Sequence, residues 1–202
     1  MNIVNVAIGG VLQVVVFGIV PWVWWLVTAR HKQSFLQWIG VRRPEAASRK
    51  QLYMGLLVVG VAFVALSLLA LWIIKSIPET KIPFYGGGLA VLPAVIVYAC
   101  INTALSEELL FRGFLLKRIA AQWGYVAGNS VQAIVFGLLH GALFFTIVAW
   151  PVALMIVGVT GVIGWLSGYV NERLAGGSIV PSWAIHALAN TIISMCAALT
   201  LV

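Results

Sequence analysis

Two adjacent glutamates, Glu107 and Glu108, are followed four residues later by Arg112, in a stretch that is otherwise apolar. Two further apolar stretches carry histidines: His140, four residues after Phe136, and His186, four residues before Asn190. Carboxylate and imidazole are the common general acids and bases of proteins. An amide beside an imidazole can donate hydrogen bonds to a developing negative charge. Together these groups could activate water and stabilise the tetrahedral intermediate of an acyl transfer. Glu108 and Arg112, at i and i+4, face each other on a helix and form a natural ion pair. Glu107 is rotated by about 100° from Glu108, so Arg112 cannot serve both acids, and Glu107 is left free to react. His186 and Asn190 share one helix face at the same spacing, as do Phe136 and His140, an aromatic wall and a polar tip.

The elements that hold these groups belong in a bilayer. The chain has 202 residues, 62% hydrophobic and 8% charged, with a mean hydropathy of +1.07. A soluble domain carries about 25% charged residues. There is no aspartate, and the acids number five. An ionisable residue within a membrane span must therefore pair or face a cavity. Apolar runs long enough to cross the hydrocarbon are expected at about 3–29, 52–77, 89–121, 126–145, 151–170 and 179–201. Pro21 is expected to kink the first, with Trp22, Trp24 and Trp25 as an interfacial belt. The second ends at Pro78, segments 79–88 and 171–177 read as loops, and Pro181 sits in the first turn of the last span. The fold class expected is all-α, a polytopic bundle of about six spans. It forms one domain over 1–202, with a motif-bearing core at about 89–202 and two motif-free spans in 1–88.

Depth argues for a shared cavity. Glu107 lies about 15 Å from Lys117 along its helix, His186 about 12 Å and His140 about 18–21 Å from the same side. Polar groups on three separate helices thus converge. Asn129 and Gln132 are expected to line a cavity or to bond helix to helix. Gly137, Gly141, Gly158, Gly161, Gly164 and Gly168 suit close helix packing. Ser178 and Ser182 have no base at helical spacing, so a serine nucleophile is not expected. Cys100 and Cys196, inside apolar runs, read as packing residues.

The formal charge of +7 is not a nucleic-acid signature. Arg30, Lys32, Arg42, Arg43, Arg49 and Lys50 crowd the segment 30–50, and Lys117 and Arg118 follow the acidic motif. Such clusters beside apolar spans mark loops facing anionic lipid on the cytoplasmic side. Six spans put loop 30–50, Lys117, Arg118 and Arg173 on that side, with Lys75 and Lys81 on the other. The expectation is an integral multi-pass protein of a bacterial cytoplasmic membrane, its first span retained rather than cleaved as a signal peptide.

At the residues first named, the chain resembles the CAAX-protease and bacteriocin-processing (CPBP, or Abi) family of membrane proteases. Glu107-Glu108-Leu109-Leu110-Phe111-Arg112 matches its EExxxR motif, Phe136 to His140 its FxxxH motif, and His186 to Asn190 its HxxxN motif, in the family's order. The resemblance covers about residues 89–202. It implies an intramembrane endopeptidase in which Glu107 activates water with help from His140. His186 and Asn190 would form an oxyanion hole, and Glu108, Arg112 and Phe136 would support them. No cofactor is expected. The alternative is zinc held by Glu107, His140 and His186 with a position open for water, against which stand the lack of an HExxH pair and the poor ligand quality of asparagine. The implied partner is a membrane-embedded protein or peptide, often cut near its C-terminus, together with the lipid bilayer. Two competing readings are a non-catalytic immunity or scaffold protein and a small transporter or proton relay. The first predicts lost motif residues, and the second predicts repeated halves or broken helices; the sequence shows neither.

Overall fold

The computed structural model describes residues 2–75 and 82–201, and among these five helical runs are long and apolar enough to cross a membrane, one of them folded back on itself. Among the described residues there are helices and no strands. Helix α1 (Ile3–Thr28) is capped by the Asn2 side chain, which accepts from the Val4 N–H, and it continues through Pro21. The segment expected as a polar loop contains a short buried helix, α2 (Phe35–Ile39). Its Trp38 and Ile39 are buried, and Ile39 fills the space left by the missing side chain of Gly113. Loop 30–50 is therefore partly a folded apolar wedge, and only its flanks are basic.

Helix α3 (Arg49–Ile74) starts a turn earlier than its apolar run, because the Ser48 hydroxyl caps it by accepting from the Gln51 N–H. The expected helix end at Pro78, the start of the loop 79–88, and the outward Lys81 lie outside the described residues.

The next two spans are one helical run, Gly88–Phe144, 57 residues long, that reverses at Gly124. There φ is +83° and ψ 164°, backbone that a side chain would strain. Gly128 then lies against the backbone of Leu116 and Ala120, so the halves fold back as a hairpin. We call them α4 (88–123) and α5 (125–144). Helix α6 (Trp150–Leu174) runs a turn beyond its expected end and takes Asn171 out of the predicted loop into the buried interior. Helix α7 (Val180–Ala198) completes the bundle, with Pro181 in its first turn.

Helices α5 and α6 approach closely, because Gly137 and Gly141 meet Val157 and Gly168 makes room for Asn129. Gly158, expected in the same contact, faces open space. Asn129 donates to the Trp165 carbonyl (3.0 Å) and Gln132 to that of Gly164 (2.9 Å), so both bond helix to helix. Helix α7 packs on both α3 and α4, and α1 leans mainly on α4. Lys117, Arg118, Arg173 and Arg42 gather at one end of the bundle. Lys117 bonds Glu172 at 2.6 Å and the Gly177 carbonyl at 2.7 Å, Arg118 lies over Trp38, and Arg173 lies over Tyr125.

Candidate active site

The acidic pair sits at a disturbance in α4. Backbone hydrogen bonding widens to the π pattern over Tyr98–Leu105 and again over Leu109–Leu116, with one α-turn, Ser106–Glu108, between them. Hydroxyl groups that bond back to carbonyls of the preceding turn loosen helices, and this segment has two. Thr103 donates to the Ala99 carbonyl (3.0 Å), and Ser106 donates to the carbonyls of Asn102 and Thr103. A further carbonyl, Cys100, accepts from the Trp183 indole of α7 at 2.8 Å. Such π segments are frequent at functional sites. Here they turn both glutamates and Arg112 inward from a single helix.

Glu108 is the anchor. It is fully buried, with Oε1 3.3 Å from Arg112 Nη1 and 3.3 Å from His186 Nδ1. The Ser182 hydroxyl donates to its other oxygen and itself accepts from Asn171 Nδ2 at 2.6 Å. Spacing alone found no base for Ser182, but a carboxylate reaches it from another helix. With its proton committed to Glu108, that hydroxyl holds α7 to α4.

Arg112 is also fully buried, and its guanidinium lies 4.3 Å from the centre of the Phe136 ring. Gly164 leaves space for both groups. The Phe136 ring in turn is 4.3 Å from the His140 ring. Phe136 thus connects the arginine of the first motif to the histidine of the second.

Glu107 has a different environment. Its side chain is 14% exposed, its Oε2 lies 3.6 Å from His186 Nε2, and that oxygen has no hydrogen-bond partner. His186 stands between the two carboxylates, with one ring nitrogen toward each. With Nδ1 against Glu108, Nε2 is the nitrogen turned to Glu107.

A cavity of about 580 Å³ opens beside Glu107, bounded by Phe111, His140 and the α1 residues Gly9, Gln13 and Phe17. His140 Nδ1 lies 2.9 Å from the Phe136 carbonyl. A carbonyl can only accept, so Nδ1 carries a proton, and in the neutral ring Nε2 keeps its lone pair. Asn190 donates to Thr103 Oγ1 at 2.8 Å, which orients its amide and leaves a second N–H.

All seven residues singled out by spacing fall within this region. Glu107, Glu108, Arg112 and His186 form one contact group, Phe136 links it to His140, and Asn190 lies one turn along α7 from His186. Missed by spacing were the contacts of Ser182 and Asn171, whose partners lie on other helices, and Gln13, which lines the cavity. Among the described residues no three His, Cys, Asp or Glu side chains are grouped to hold a metal.

A family model described as type II CAAX prenyl endopeptidase Rce1-like matches residues 88–192, more than half of the chain and all three motifs. No curated protein and no solved structure matches the chain.

Proposed function

The chain belongs to the Rce1-like family of type II CAAX prenyl endopeptidases, and from that premise we propose that it hydrolyses a peptide bond with water activated by Glu107. The family makes it an integral membrane protease acting on a membrane-associated peptide or protein. The observation that carries the mechanism is the Glu107 carboxylate. It has an unpartnered oxygen, a cavity shared with His140, and His186 3.6 Å away.

In this reading Glu107 takes a proton from water that is oriented by His140 Nε2. The water oxygen attacks the scissile carbonyl, and the oxyanion is met by His186 and the free N–H of Asn190. Glu107 then delivers the proton to the departing nitrogen as the C–N bond breaks, giving a carboxylic acid and an amine. Glu108, Arg112 and Phe136 hold His186 and His140 in place without touching the reacting atoms. The bond cut lies near the C-terminus of a lipid-attached or membrane-embedded chain. The basic end, with loop 30–50, faces the cytoplasm of a bacterial cell.

The test is cleavage of a farnesylated peptide ending in a CAAX sequence by purified protein in proteoliposomes, read by mass spectrometry. Glu107→Gln is expected to lower the rate by at least about 100-fold. Full cleavage by that variant would refute the assignment. Activity is expected to survive chelation; loss restored by added zinc would turn Glu107, His140 and His186 into ligands.

A further inference from the structure

Helix α1 lies outside the stretch that matches the family, which begins at residue 88, yet it forms one wall of the cavity. Most of its large side chains, from Ile3 to Val27, are exposed on the outside of the bundle. Near its start it docks through Val6 and Gly10, with Gly10 against Asn102. Between that contact and the wedge at the basic end, the helix presents Gly9, Leu12, Gln13, Val16 and Phe17 to the cavity.

Gln13 stands out chemically. It is the one polar side chain between Val6 and Val27. A primary amide in a membrane interior is unfavourable unless it is hydrogen-bonded. No hydrogen bond to Gln13 is found among the described residues, and it is half-buried on the cavity side. Its amide is placed to bond a group that enters the cavity.

The occupant's chemistry supplies one. A peptide bond open to attack cannot be locked in a helix, and an unwound backbone within the hydrocarbon has N–H and C=O groups without water to satisfy them. A glutamine side chain carries an N–H donor and a C=O acceptor, the same pair as a peptide group, so it can bond an extended strand in both directions. We propose that Gln13 binds the backbone of the substrate as it lies extended between α1 and α5, and so positions the scissile bond against Glu107. The inference rests on the endopeptidase reading for the identity of the occupant.

The experiment compares the wild type with Gln13→Leu and Gln13→Asn in proteoliposomes, with the farnesylated CAAX peptide as probe. Gln13→Leu is expected to raise KM about tenfold, the scale of one lost hydrogen bond, with kcat within about twofold. Gln13→Asn, which keeps the amide, is expected to recover part of that loss. An unchanged KM, or a loss confined to kcat, would overturn the inference. A photo-crosslinking benzophenone residue at position 13, in a Glu107→Gln background, reads occupancy without turnover. Adducts to the peptide should form from position 13 and not from Val15, which is exposed on the outer face. Equal labelling from both positions, or none from 13, also overturns it. A wild type that binds at 13 but never cleaves would sink the endopeptidase reading and leave the Gln13 contact standing.

Discussion

Two groups of buried charge lie on α4, about ten residues apart, and they are built on opposite plans. At the basic end, Lys117 satisfies Glu172 and the Gly177 carbonyl, and the Ser178 hydroxyl donates to the Arg42 carbonyl at 2.6 Å. Arg42 bonds the Gly176 carbonyl, and the Ile179 N–H bonds that of Gly40 at 2.9 Å. Arg118 Nε, stacked on Trp38, is the exception. In the acidic group all three Arg112 nitrogens and Glu107 Oε2 lack hydrogen-bond partners. Buried polar groups are normally satisfied, and those that are not point to a functional demand. The basic end joins three segments of chain through satisfied groups, whereas the acidic group leaves buried charged atoms without hydrogen-bond partners.

The largest effects should separate Glu107 from its neighbour. Glu107→Gln should abolish most cleavage and leave unfolding in detergent unchanged within about 0.5 kcal/mol, since the residue carries little of the packing. Glu108→Ala should do the reverse first. It strands a fully buried Arg112, a loss of about 3–5 kcal/mol, measured as a lower denaturation midpoint before any assay of activity. Adding Arg112→Met to that variant should restore about half of the loss, because removing both charges is far less costly than removing one. If the double variant is no more stable than the single one, the ion pair is not what holds the site.

How much of this was legible in sequence depends on distance along the chain. Glu108 with Arg112 is a local i,i+4 pair, and its spacing announced it. The six apolar runs followed from length and composition, since the bilayer dictates both. The two π segments were not legible, because their cause is a set of hydroxyl back-bonds and a Trp183 contact from another helix. Nor was Ser182, which meets Glu108 across 74 positions and has no signature in any window. Asn171 was misplaced for a related reason. Hydropathy ends near Val170, but the helix carries on to Leu174 because the side chain of Asn171 finds Ser182 inside the bundle. Local spacing picks out the motif residues, and helix packing decides what holds them.

A smaller effect tests whether Ser182 belongs to the anchoring plan. Ser182→Ala removes a donor to Glu108 and leaves Asn171 Nδ2 without its partner in a buried position. A stability loss of about 1–3 kcal/mol is expected, with a fall in kcat, since the carboxylate that steadies His186 is freed to shift. Ser182→Thr, which keeps the hydroxyl, should recover kcat more than it recovers stability. A Ser182→Ala variant with wild-type kcat would confine the residue to packing.

The smallest effect belongs to the basic end, where satisfaction predicts stability without catalysis. The side chains of Lys117 and Glu172 are 14% and 23% exposed, so the pair is partly screened and its coupling should be about 1 kcal/mol. A double-mutant cycle with Lys117→Met and Glu172→Gln reads that term directly. Both single variants should keep KM and kcat for the CAAX peptide, because the pair is about 15 Å along α4 from Glu107 and contributes no atom to the cavity beside it. A change in kcat at this end, with stability unaltered, would mean that the two charge groups are coupled, and the contrast between them would have to be redrawn as one network.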